Sequence, residues 1–379
     1  MYKDKTKKTT IRTSLRRLIT AGACGYLLIM FLITLLTSAE EGNVFSSRQL
    51  HTWSSQVQKE LLVSVFQYEN HYFGHSSGTD IEVESVPGML FELVTRLNFH
   101  EPRTLLGKEI PGLALFDGNI IVAGEGTDFT NMPIESAPPM EVLMEERQAS
   151  ADRLEIMETP EETKDTNADR EVVAHIVHSH SRESFYPELE EGAESAFHPD
   201  VNITMVGQKL GEELEERGIG TIVNKTDVEK QLDEKGWDFT DSYKVSRTVL
   251  QEAMENNNQL ELFFDLHRDS QPRDVTTVTT NGETMARTIF VIGENNPHYE
   301  KNLEMATALN DKLDEKYPGL SRGVITKGGG GVNGRYNQDL SEQSVLIEIG
   351  GMENNLDEAY QTAEALAEVI NEWYNESTE

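Results

Sequence analysis

Three short apolar runs in this chain each lead straight into residues that bind metals or move protons. Val172, Val173, Ala174, His175, Ile176 and Val177 run into His178, Ser179, His180, Ser181, Arg182 and Glu183. Leu262, Phe263, Phe264, Asp265 and Leu266 run into His267, Arg268 and Asp269. Val345, Leu346 and Ile347 run into Glu348, Ile349, Gly350 and Gly351. Stretches this short and this rich in Val, Ile, Leu and Phe predict buried strands. In an open α/β sheet, chemistry gathers just beyond the carboxyl ends of the strands. One site assembled from three distant parts of the chain is therefore expected.

The amino-terminal end is of a different kind. Residues 1–17 hold seven Lys and Arg side chains against Asp4 alone, and residues 18–36 carry no charge. A helix needs about 20 apolar residues to cross a bilayer, and a secretory leader has a shorter apolar core. A transmembrane helix is predicted over 18–38, with 1–17 a basic tail kept in the cytoplasm by the positive-inside rule. Leu36, Thr37, Ser38 and Ala39 loosely imitate a cleavage site, which leaves processing open. Everything after the span is expected outside the cytoplasm, anchored at the cell membrane. The whole chain has a formal net charge of −33, so the acid excess lies past the tail. Such a surface repels phosphates and excludes nucleic acid as a partner. The one cysteine, Cys24, falls in the apolar span, which rules out an intrachain disulfide and a Cys zinc site.

Composition divides the remainder. Residues 39–135 are expected to form a membrane-proximal, partner-binding module with helices over 45–75 and 90–97. Residues 136–170, with Pro138, Pro139 and Pro160 among Glu, Asp and Thr, have the composition of an acidic linker. From 171 to 379 strand and helix patterns alternate. They predict an α/β fold with a mixed, mostly parallel sheet flanked by helices. Helices are expected over 202–217, 242–256, 299–317 and 356–374. Strands are expected over 172–177, 221–223, 262–266 and 324–326, with a hairpin of 275–280 and 288–293 around Asn281 and Gly282.

His180 and Glu183 have His-x-x-Glu spacing, which lets two ligands face one ion, and His267 supplies a third from a neighbouring strand. Two His, one carboxylate and an open position make a catalytic zinc site. Glu348, a carboxylate after Val-Leu-Ile, is costly on a buried strand unless it has work to do; it is expected to be the general acid–base. His178 alternates with His180 and would share its face in an extended chain, so it stands as ligand, ligand partner or catalytic contact. His198 is a reserve ligand. Which two of His178, His180, Glu183 and His198 join His267 is left open, and His175, on the opposite side, is read as structural. Asp265 and Asp269 flank His267 and can orient its ring. Arg268 and Arg335 are candidates to hold a substrate carboxylate. The loop of Arg335, Tyr336, Asn337 and Asp339, after the glycines at 328–331, is read as a substrate-binding loop.

Together these segments resemble a known family. His178-Ser-His-Ser-Arg-Glu-Ser-Phe185, Asn202-Ile-Thr-Met-Val-Gly-Gln-Lys-Leu210, Asp265-Leu-His-Arg-Asp269, Tyr336-Asn-Gln-Asp-Leu-Ser341 and Leu346-Ile-Glu-Ile-Gly-Gly351 look like the stage II sporulation protein P family. The resemblance extends from the predicted anchor through the carboxyl-terminal domain. It implies a zinc-dependent peptidoglycan hydrolase, an N-acetylmuramoyl-L-alanine amidase that also cuts peptide cross-links. It further implies action at the sporulation septum during engulfment, with sporulation proteins D and M as partners. The fold it implies is similar to that of the zinc amidases of cell-wall remodelling. This sequence lacks their Gly-His-Gly-Gly signature, and Glu183 lies closer to His180 than their Glu does to its His. The close spacing also resembles zinc carboxypeptidases. The rival from outside enzymology is a scaffold that binds wall or partner without cutting.

Overall fold

The computed structural model of the chain describes residues 118–133, 138–145, 149–150, 153, 171–328 and 333–378. The predicted tail, the span at 18–38, the helices of the membrane-proximal module and the glycine run beyond Gly328 lie outside them. Among the described residues no helix is long and apolar enough to cross a membrane.

The elements follow the chain as β1 (Gly118–Ala123), α1 (Met140–Leu143), β2 (Val172–Val177), α2 (Ile203–Glu216), β3 (Gly220–Val223), α3 (Val228–Lys235), α4 (Ser242–Asn256) and β4 (Leu262–Asp269). Then come α5 (Arg273–Thr276), β5 (Thr277–Thr280), β6 (Glu283–Ala286), β7 (Thr288–Gly293), α6 (Tyr299–Lys316), β8 (Ser321–Lys327), β9 (Ser344–Gly351) and α7 (Leu356–Thr378). Seven strands form one sheet in the order β1-β8-β7-β9-β4-β2-β3. The β2–β3, β2–β4, β4–β9 and β7–β8 ladders are parallel, and β1–β8 and β7–β9 antiparallel. The sheet is thus mixed and mostly parallel, flanked by helices.

Burial explains the layering. In α2 the buried positions Ile203, Val206, Leu210 and Leu214 recur at helical spacing and join residues of α6 and α7 in the main core over one face of the sheet. Asn202 starts α2, its side chain accepting from the Thr204 N–H. On the other face lies a smaller cluster of Tyr243 from α4 with Ile289, Val291, Ile325, Leu346, Tyr336 and Met132. There α3 packs on α4 through Val228, Leu232 and Val245.

Several boundaries differ from expectation. The Asn281–Gly282 turn, with φ of 54° and 89°, joins β5 to β6 in a separate two-stranded sheet. A two-residue turn pairs only its immediate neighbours, so residues 288–293 are free to enter the main sheet as β7. Strands β4 and β9 run on past their apolar residues, because His267 pairs with Glu348 and Asp269 with Gly351. Residues 118–123, expected in the 39–135 module, instead pair with β8 as an edge strand of the main sheet. Parts of the 136–170 stretch are docked as well. Leu143 is buried with its carbonyl accepting from Arg182 at 2.9 Å, and Arg153 Nε donates to Glu188 at 2.6 Å.

Candidate metal centre

The β4–β9 ladder sets the two decisive side chains at one level of adjacent strands, His267 opposite Glu348. The turn after β2 brings in the others. Glu183 bridges Phe197, and its carbonyl accepts from Ile203 N–H at 2.7 Å, which fixes it at the mouth of α2. Among the described residues, His180, Glu183 and His267 form a buried group whose ligand atoms all lie within 4.8 Å of one another. His180 Nδ1 is 3.4 Å from Glu183 Oε1, and His267 Nδ1 is 3.6 Å from Glu183 Oε2. Ligands about 2.0–2.2 Å from a tetrahedral zinc sit roughly 3.5 Å apart, so the donor set fits such an ion. His180 is held by stacking on Phe239, ring centroids 4.2 Å apart, and by an edge contact with Tyr243. Tyr243 also stacks on His267 at 6.2 Å.

The electrostatics match a centre that draws positive charge. Burial works against a proton on His267, but Asp265, Glu183 and Glu348 outweigh it and raise its pKa to about 10. The Asp265 carboxyl is held below the usual range despite burial, by His267 and by hydrogen bonds from Ser179. Glu183 is lowered likewise, against its burial, by the His180 hydrogen bond and by the charges of His267, His180 and Arg268. Its Oε2 also accepts from the Arg268 N–H at 2.8 Å. Glu348 goes the other way. Burial first, then Asp269 and Glu183, push its pKa up to about 8 against His267 and Lys327. Its Oε2 has no hydrogen-bond partner among the described residues.

Other predicted residues fall elsewhere. His178 does not share the face of His180, because the chain turns after Val177 instead of staying extended. Its Nδ1 donates to Asn224 O at 3.0 Å, and its Nε2 edge lies against α2. A Cβ on Gly207 would come within 2.1 Å of that nitrogen, so the close approach needs glycine there. Burial lowers the His178 pKa to about 4. His198 Nδ1 accepts from the N–H groups of Asp200 and Val201, and His198 stays outside the metal group. His175 is also buried, its pKa lowered to about 4, and its ring tilts against Phe263. The Arg268 guanidinium donates to Ala196 O at 3.0 Å and Asp269 O at 3.2 Å over the Phe197 ring. That ties down the 196–197 loop rather than facing solvent. Of the predicted loop, Arg335 is exposed. Tyr336 is buried against Tyr243, Asn337 donates to Tyr243 O and Ser246 Oγ, and Asp339 pairs with both terminal nitrogens of Arg247.

Of the two carboxylates flanking His267, one turns to it. Asp265 Oδ1 lies 3.1 Å from His267 Nε2, whereas Asp269 forms a buried pair with Arg322 at 2.5 Å. Phe239, Tyr243 and Glu229 were not singled out from the sequence. Glu229 is fully buried, accepts from Ser181 Oγ at 2.6 Å, and has its pKa raised by burial. No local signal marks it, because its helix, Val228–Lys235, is mostly charged and an acid there reads as solvent-facing.

A model of the stage II sporulation protein P family matches residues 100–371. Stage II sporulation protein P of Bacillus subtilis (strain 168) is 39% identical over 357 residues, covering 92% of this chain and 89% of the relative. Two solved structures overlap more loosely. An N-acetylmuramoyl-L-alanine amidase from Clostridium difficile 630 is 16% identical, covering 53% of this chain and 94% of its own, with a TM-score of 0.31. The N-acetylmuramyl-L-alanine amidase Ami1 from Mycobacterium smegmatis is 13% identical, covering 53% and 97%, with a TM-score of 0.28. At such scores the likeness is too slight to assign an activity.

Proposed function

The chain belongs to the stage II sporulation protein P family, and from that membership and its metal centre we propose that it is a zinc-dependent peptidoglycan hydrolase. Its reaction is that of an N-acetylmuramoyl-L-alanine amidase, with cleavage of peptide cross-links as a second activity, and its task is thinning of the septal wall during engulfment. The observation that carries this reading is the meeting of His180, Glu183 and His267 beside a carboxylic acid, Glu348, paired with His267 across β4 and β9. A scaffold that only binds wall has no need of a buried ligand set with an acid next to it.

His180, Glu183 and His267 would hold the ion. Zinc in such a site polarises a carbonyl and makes water acidic. Glu348 takes the proton of the attacking water and delivers it to the departing amide nitrogen, help worth typically 10²–10⁴-fold. Positive charge beside a carboxyl lowers its pKa, so an ion held there would bring Glu348 below the value of about 8 that burial gives it, into a range where it can both accept and return a proton. Asp265 holds the His267 ring by its Nε2 edge. Arg335, exposed on its loop, would meet carboxylates of the stem peptide. The anchor over 18–38 would keep the enzyme at the membrane facing the wall, with sporulation proteins D and M as partners.

The test is to incubate the purified chain with cell-wall sacculi, with chelator and after zinc is restored, and to weigh the soluble fragments. Intact free stem peptides that vanish with chelator support the amidase. Fragments cut only between stem peptides indicate a peptidase of the carboxypeptidase kind. No release under any metal condition leaves the scaffold.

A further inference from the structure

We propose that Asn337 is a positioning residue for the metal centre, acting through Ser246, Ser179 and Asp265 to set which nitrogen of His267 is bare. This rests on the metal reading above and extends it to a residue expected to touch substrate.

The contacts form one chain. Asn337 Nδ2 lies 3.0 Å from Ser246 Oγ and 3.0 Å from Tyr243 O. Ser246 Oγ lies 2.7 Å from Ser179 Oγ. Ser179 reaches Asp265 twice, Oγ to Oδ2 at 2.6 Å and N to Oδ1 at 2.9 Å. Asp265 Oδ1 lies 3.1 Å from His267 Nε2. Ser179 and Ser246 are wholly buried, and Asp265 and Asn337 nearly so, so solvent offers no substitute partners.

Hydrogen counting leaves one direction. An ionised carboxylate only accepts, so the Ser179 O–H points at Asp265. A hydroxyl has one hydrogen, so the short Ser179–Ser246 contact must be donated by Ser246. The competing contact of Ser246 Oγ with Tyr243 O is longer, 3.4 Å, and that carbonyl already receives Asn337. Ser246, its hydrogen committed, can only accept from Asn337. The amide is turned the right way, because its Oδ1 end faces the Arg247 guanidinium at 3.4 Å. Its backbone φ of 55° lies in the left-handed region, which Asn tolerates better than most residues. At the far end Asp265 accepts two hydrogens, both from Ser179, which hold its Oδ1 3.1 Å from His267 Nε2, and a carboxylate so placed favours the ring proton on that nitrogen. That contact selects the tautomer in which Nδ1 carries the lone pair, and Nδ1 is the atom facing Glu183. Reversing the Asn337 amide would turn Ser246 around and leave Ser179 without its donor.

The experiment uses the full chain and measures zinc affinity by competition with a chromogenic chelator. Asn337→Asp keeps shape and backbone tolerance, sits beside Arg247, and replaces the inward donor with an acceptor. Ser246→Ala breaks the middle link without adding charge and decides the matter if the first variant does not fold. Each is expected to weaken zinc binding roughly 10- to 100-fold, the usual cost of losing a partner of a metal-bound His. The double variant should bind no worse than the weaker single variant, since both cut one chain. Wild-type affinity in both single variants overturns the proposal, as do losses that multiply in the double variant. A rise in KM with zinc affinity unchanged returns Asn337 to substrate binding and overturns it too. Absence of zinc binding by the wild-type chain would instead defeat the metal reading itself.

Discussion

Glu348→Gln is expected to lower activity and raise stability at once. The carboxyl is 8% exposed, and its pKa stands at about 8 against 4.5 for a free side chain. In the unfolded chain it ionises above about pH 4.5; in the folded, metal-free chain it keeps its proton until about pH 8. Between those limits the folded state binds the extra proton, so stability falls as pH rises. The acid's contribution is whole below pH 4.5 and gone above about pH 8. At about 1.4 kcal/mol per tenfold change in proton affinity, the penalty at high pH has a ceiling of roughly 5 kcal/mol. Gln has nearly the same shape and cannot ionise, so it escapes that penalty. In urea titrations of the chelated chain, the variant should match wild type at pH 4 and exceed it by ~2–4 kcal/mol at pH 9. With zinc present, the same substitution should cost 10²–10⁴-fold in turnover on sacculi. A stability difference independent of pH, or a variant weaker than wild type at pH 9, would refute the reasoning.

His178→Ala should leave zinc stoichiometry unchanged, measured by metal analysis, while lowering unfolding free energy by ~2–5 kcal/mol, the usual range for emptying a core site. Gly207→Ala should cost ~1–3 kcal/mol from overpacking against His178; combined with His178→Ala the penalty should largely vanish in a double-mutant cycle. Arg322→Leu should destabilise by ~3–5 kcal/mol by leaving Asp269 buried without its partner, and adding Asp269→Leu should recover most of that in the same denaturation assay. Arg268→Ala should lower the melting temperature and leave KM for wall fragments unchanged, since its guanidinium holds the 196–197 loop.

Much of the fold was legible because the information is local. The helix predicted over 242–256 is α4 to the residue, since its buried side recurs at helical spacing and its ends carry polar residues. Strand β2 matched its six residues for the same kind of reason. What was missed lay where pairing rather than pattern decides. Strand β1 alternates in exposure along its length, but Ile120, Ile121 and Val122 in a row give its sequence no such alternation, and it exists because β8 offers it an edge. Helix α3 is mostly charged, and Val228 and Leu232 hold it against Val245 of α4 and Met140 of α1. Arg268, Asn337 and Asp339 read as substrate contacts because loop Arg, Asn and Asp so often are, yet their partners are other loops and helices of the same chain.

From its own order of residues the chain determined that strand-forming runs would end in three imidazoles and three carboxylates, because apolar clustering buries such runs wherever they lie. Only the tertiary structure decided which of those groups meet. His178 and His180 are two residues apart, but a turn after Val177 sends one ring against Gly207 of α2 and the other to Glu183 and His267. The direction of a side chain past a strand end depends on turn geometry and on the space a distant helix leaves. Neither is written in the spacing of the residues themselves.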